Sequence, residues 1–216
     1  MRGLIVTATV TTPVVAGVAR QNLASLLAWA SAGHQVLPSM QETGPVPVPI
    51  PLARLWTDEY GKPLWAATDI YPISDVIEGR EYLHKRYPSQ RANLGRKMKI
   101  NTAAGQFKER RKPIKTIVAR EWRAALIMDN DCEPDDIQQL LDDVRSIGPH
   151  GAAGYGAVHE WRVELADIDP AFIVERRNVP ARAQLATGTA APLRPWCPPY
   201  WYSPWWEDCV EGQPCF

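Results

Sequence analysis

The sequence predicts an α+β domain whose elements run strand, helix, strand, strand, helix, strand. Three observations carry that expectation: an alternating β-branched run at the start, two stretches with apolar residues at i, i+3, i+4 and i+7, and alternating runs on either side of the second stretch. The chain has 216 residues, enough for a self-sufficient core in one elaborated domain or two small ones. Its apolar residues (45%) and charged residues (22%) are in globular balance, which excludes wholesale disorder.

Residues 2–10 place Leu4, Val6, Ala8 and Val10 on one side and Ile5, Thr7 and Thr9 on the other, a strand with one face on the core. Thr11, Thr12 and Pro13 end it. Leu23, Leu26, Leu27 and Ala30 then mark a helix of roughly 11 residues, with Asn22 as N-cap and Gly33 as its stop. Residues 38–51 hold five prolines, a polyproline-like connector, edge segment or partner-docking motif. Residues 52–73 form a half-buried excursion around Trp56 and Trp65. Short strands at 98–100 and 114–118 are expected to flank 101–113 as a long hairpin with a basic arm. Residues 121–128 form an apolar strand with Trp122, Ala124, Leu126 and Met128 on one face.

Seven acids crowd residues 129–143, where Ile137, Leu140, Leu141 and Val144 predict the second helix. Pro134 suits its first turn, and Asp135 and Asp136 complement its dipole. The pairs Asp135/Asp136 and Asp142/Asp143 flank the apolar stripe, so they read as a solvated face and not as a metal-dependent nuclease centre. Residues 157–165 are the last strand, with Val158, Trp161, Val163 and Leu165 apolar. This order is the split βαβ of a ferredoxin-like (RRM-like) domain. It spans residues 1–165, with a basic β-hairpin thumb inserted at about 88–120. Residues 166–216 are expected to be an irregular Pro/Trp-rich C-terminal extension that packs on the domain or on a partner.

No apolar run approaches the ~18 residues of a membrane span, and residues 1–10 alternate where a secretory signal would be continuously apolar. The four cysteines are too few for a disulfide scaffold, so an intracellular, cytoplasmic chain is expected. Cys197, Cys209 and Cys215 lack any Cys-x2-Cys spacing and read as packed thiols; no metal or cofactor is expected.

The net charge of zero hides a strong asymmetry. Residues 80–123 hold 14 Lys/Arg and 3 Asp/Glu, leaving 10 basic and 21 acidic residues elsewhere. A basic block of that size points to a localised polyanion site. Its cations include Arg91, Arg96, Lys97, Lys99, Lys108, Arg110, Arg111, Lys112 and Lys115. The second feature is the loop Gly148, Pro149, His150, Gly151, Ala152, Ala153, Gly154, Tyr155, Gly156. Four glycines in nine residues allow positive φ and an anion-binding nest, with Tyr155 available to stack on a base. The loop follows a helix and precedes a strand, the reverse of a dinucleotide fingerprint, and no phosphate-loop Lys-Ser/Thr follows it.

Such a loop between the second helix and last strand of a ferredoxin-like domain resembles the RAMP superfamily of CRISPR effector subunits. With residues 4–13, the segment 23–30 and the inserted basic arm, the chain is most similar to the type IV subunit that resembles the fifth Cas family. The resemblance covers roughly residues 1–165. It implies a non-catalytic subunit that grips the 5′ handle of the crRNA and caps a filament of backbone subunits. The large and crRNA-processing subunits would be further partners, with target DNA within reach and no membrane contact. Gly148, His150, Gly151, Gly154, Tyr155 and Gly156 would then lie along the handle. Some superfamily members cut RNA by metal-independent acid–base chemistry, so an endoribonuclease is the alternative, with His34, or His84 beside Lys85 and Tyr87, as candidate groups.

Overall fold

A computed structural model of the chain describes residues 2–16, 21–33, 48–85, 110–194, 196 and 207–211. The strands described are β1 (Gly3–Val10), β2 (Val14–Val15), β3 (Arg54–Thr57), β4 (Pro63–Trp65), β5 (Tyr71–Pro72), β6 (Ile77–Lys85), β7 (Arg110–Val118), β8 (Glu121–Ile127), β9 (Val158–Ala166), β10 (Val179–Pro180), β11 (Ala190–Arg194) and β12 (Glu207–Val210). The helices are α1 (Leu23–Ser31), α2 (Pro134–Asp142) and the short α3 (Pro170–Val174). The fold is α+β, and every strand pairing among the described residues is antiparallel.

The central sheet runs β5–β8–β1–β9. Its registers set Val6 opposite Ala124 and Val163, and Ala8 opposite Trp122 and Trp161. The alternation in β1 therefore turns Leu4, Val6, Ala8 and Val10 into one core with Leu23 and Leu27 of α1 and Ile137 and Leu141 of α2. Full burial of each large side chain stabilises by about 1.5–3 kcal/mol, so this layer is the main source of cohesion. On the opposite face, Ile5, Ala125 and Ile127 pack under Ala53, Ala66 and Ile173. Strand β8 is thus buried on both sides, which is why residues 124–128 read as an unbroken apolar run.

The helix ends follow the sequence signals. Asn22 caps α1, its side-chain oxygen accepting from the Ala24 N–H at 2.9 Å while its amide donates to Asp69 at 3.0 Å. Pro134 opens α2, where Glu133 and Asp136 form a reciprocal capping box. None of the described helices is long and apolar enough to cross a membrane.

The basic hairpin differs from the expectation. Strand β7 is nine residues long and pairs with β6, from Ile77 opposite Val118 to Lys85 opposite Arg110. Residues 98–100, expected as its partner, lie outside the described residues, as do residues 38–47 of the proline run. The arm also continues the central sheet. Beyond the β5–β8 pairs, the Ile73 N–H donates to the Glu121 carbonyl at 3.0 Å, and Ser74 Oγ accepts from the N–H groups of Arg120 and Glu121 at 2.9 and 3.1 Å. The strand pairing is interrupted there and resumes as β6–β7, with β2 joined to the far edge of β7 through Val14 opposite Ile117.

The described part of the C-terminal extension holds regular elements where an irregular tail was expected. It contains α3 and a three-stranded sheet, β10–β12–β11. Trp196 is buried beside Trp56, ring centroids 5.7 Å apart, in a cluster with Leu64, Val179 and Cys209. Arg177 is 1% exposed and donates to the carbonyls of Trp65, Ala67 (3.4 Å) and Trp196 (2.6 Å), which ties the extension to the domain. The described part therefore wraps back on its own domain; Trp201, Trp205 and Trp206 lie outside the described residues.

Candidate nucleic-acid interface

Side chains alternate along the arm, so its two faces are built from different residues. One face carries Arg80, Tyr82 and His84 from β6 with Arg111, Pro113 and Lys115 from β7, and all six are exposed. The other carries Gly79, Glu81 and Leu83 with Lys112, Ile114 and Thr116, of which Ile114 and Thr116 are buried. The register pairs Arg80 with Lys115 and His84 with Arg111. The Arg111 guanidinium lies 3.9 Å from the Tyr82 ring centroid, a close cation–π contact. Among the described residues the sole acid on the exposed face is Glu78, at the root.

The glycine loop stands at the foot of this arm. His150 (φ 69°) and Gly154 (φ 86°) bracket a 3₁₀ turn at Gly151–Ala153. Gly156 is required by geometry: its φ is +64° and a Cβ there would run into the Ile147 carbonyl. The loop's donors are largely committed within the chain. Gly148 N–H donates to Gln21 Oε1, Gly154 N–H to the Gly151 carbonyl at 2.8 Å, Tyr155 N–H to the His150 carbonyl at 3.4 Å, and Gly156 N–H to the Pro13 carbonyl at 2.8 Å. At these four positions, three glycines and Tyr155, the N–H groups hold the turn together and are not offered to an anion. Beside the loop lies a mainly apolar cavity of about 190 Å³, lined by Val14, Val15, Tyr71, Trp122, Ile147 and Pro149 among others.

Tyr155, expected to offer its ring to a base, instead donates its hydroxyl to Glu81 at 2.8 Å. That hydrogen bond, with slight burial and the Glu81 charge, raises the phenol pKa above its ordinary value. The contact joins the loop to the less exposed face of the arm.

Of the cations expected in the site, Arg111 and Lys115 share the exposed face, Lys112 is exposed on the other, and Arg110 begins β7 opposite Lys85. Arg91, Arg96, Lys97, Lys99 and Lys108 lie outside the described residues, together with His34, Tyr87, Cys197 and Cys215. Arg80 and Tyr82 are additions that sequence reasoning missed. The signal was the period-two pattern Glu78, Arg80, Tyr82, His84, which marks one face of a strand.

Cys209 is buried in β12, and burial raises its thiol to about 12, so it is an inert packed group. Among the described residues no group of three or more His, Cys, Asp or Glu is placed to hold a metal ion. No protein-family model matches the chain, and no curated protein matches it significantly.

Proposed function

We propose that this chain is a non-catalytic RNA-binding subunit of a ribonucleoprotein. More particularly, it holds the 5′ handle of the crRNA in a type IV CRISPR effector, capping the backbone-subunit filament beside the large and crRNA-processing subunits. The observation that carries this reading is the arm: a long hairpin growing from the central sheet, with exposed cations on one face around an aromatic ring. Lys and Arg there supply salt-sensitive affinity for phosphates. The order β9–β1–β8–β5, with α1 and α2 in one core layer, supports the ferredoxin-like form of the fold. In RRM domains RNA stacks on the sheet face, but here Ile5, Ala125 and Ile127 on that face are covered, which favours the arm as the contact.

The test is to sequence the RNA that co-purifies with the tagged chain from its native host. Short RNAs sharing one 5′ segment are expected; random fragments or none would overturn the handle reading. With purified RNA, replacing Arg111, Lys112 and Lys115 together by Gln should weaken binding and flatten the slope of log affinity against log salt by about 2. An unchanged slope would remove the arm from the interface. The alternative, metal-independent cleavage, draws on His84, exposed on the arm opposite Arg111. It predicts cutting of repeat RNA in the presence of chelator, abolished by His84→Ala.

A further inference from the structure

The exposed face of the arm is arranged as a stack flanked by cations. Arg111 covers the Tyr82 ring at 3.9 Å, so the tyrosine holds the guanidinium as a fixed plane. One rung toward the root, Arg80 faces Lys115, and at the next rung outward His84 faces Arg111 itself. Tyr82 is 41% exposed, an unusual position for a large ring that serves only packing. On the other face, Glu81 is engaged by Tyr155, which turns that nearby acid away from the stack.

We propose that the Tyr82–Arg111 stack is a landing platform for an unpaired base of single-stranded RNA, with Arg80 and Lys115 holding the adjoining phosphates. The inference rests on the RNA-binding reading above and specifies its ligand: a splayed, single-stranded segment and not a duplex. A guanidinium plane backed by an aromatic ring stacks on any exposed base face, whereas bases inside a helix offer none. Charge alone would bind both forms, so the discriminating property is planarity.

The test uses the full chain and two probes, fluorescein-labelled oligouridine and an RNA duplex of the same length, titrated across a salt series. Arg111→Lys keeps the charge and removes the plane, while Tyr82→Leu removes the backing ring. Each should lower oligouridine affinity by about tenfold, leave the salt slope unchanged and leave duplex binding unchanged. Tyr82→Phe should bind like the parent chain. Both positions are exposed, and thermal unfolding of each variant checks that it is folded. Equal affinity of Arg111→Lys and the parent, or equal losses on both probes, would overturn the platform while leaving the RNA-binding reading intact. Absence of salt-dependent binding by the parent chain would overturn both.

Discussion

Two additions to the same central sheet use arginine in opposite ways. In the C-terminal extension, Arg177 is sealed among carbonyls. Arg182 bridges Asp58 at 3.0 Å and Glu207 at 2.6 Å while lying 5.0 Å from the Trp56 ring centroid. On the arm, Arg80, Arg111 and Lys115 share an exposed face on which, among the described residues, Glu78 is the sole carboxylate. A cation whose donors are satisfied internally secures its own chain. One left exposed retains its attraction for an outside anion. Residue type does not distinguish the two uses; the groups packed around the cation do.

The largest effect should come from cutting the internal tie. Arg177→Met removes the bonds of one buried cation to three carbonyls and leaves that of Trp196 without its donor, while the Ala67 N–H and the Asn22 amide still serve Trp65 and Ala67. The cost should be about 3–5 kcal/mol, lowering Tm by roughly 10 °C. The triple Gln variant of the arm should melt with the parent, and a comparable fall in both would break the contrast. An intermediate effect is expected at Asp58. Burial pushes its carboxyl up, but hydrogen bonds from the Lys62 N–H, the Arg182 side chain and the Tyr60 N–H, with the Lys62 charge, outweigh it and hold the pKa below the usual value. A carboxylate depressed on folding stabilises above its unfolded pKa of about 3.9, and the contribution is lost as pH falls through the folded value. Asp58→Asn should therefore cost about 1–3 kcal/mol at pH 7 and unfold less steeply with acid than the parent, as measured by Tm against pH. The smallest effect should be Tyr155→Phe. It leaves Tm unchanged and speeds amide exchange in β6 around Glu81 several-fold, because only the link between loop and arm is lost.

Legibility in the sequence followed local determinism. β1, α1 and α2 were readable because each buries a periodic apolar stripe, and β9 because its apolar residues alternate, although Trp161 alone is buried there and Leu165 is exposed. Strand β5 was not, since its two residues, Tyr71 and Pro72, leave no period to detect. The partner of β7 was misplaced because β6 has both faces partly solvated and alternates charges with Tyr82 and Leu83, which hides strand periodicity from a hydrophobic reading. The basic block was visible as composition, but the sorting of its cations onto two faces needed the register. In the extension, order depends on contacts more than 100 residues distant, such as Arg177 to Trp65, and no local window contains them. The glycine loop was legible as a loop, but the commitment of its N–H groups to Gln21 and Pro13 was not.

The interruption of pairing at Ser74 gives the arm the mechanics of a lever. Nine paired residues on each strand span about 30 Å at ~3.3 Å per residue, so the beam is stiff along its length. At its root the Ser74 hydroxyl bridges the N–H groups of Arg120 and Glu121, and one side is braced by the pairs of β2 and by the Ala16 N–H, which donates to the Lys115 carbonyl at 2.9 Å. Rotation of about 10° at that root would sweep the far end through about 5 Å. A load met where Lys85 pairs with Arg110 would thus return to Thr11 and Thr12, which join β1 to β2, as torque.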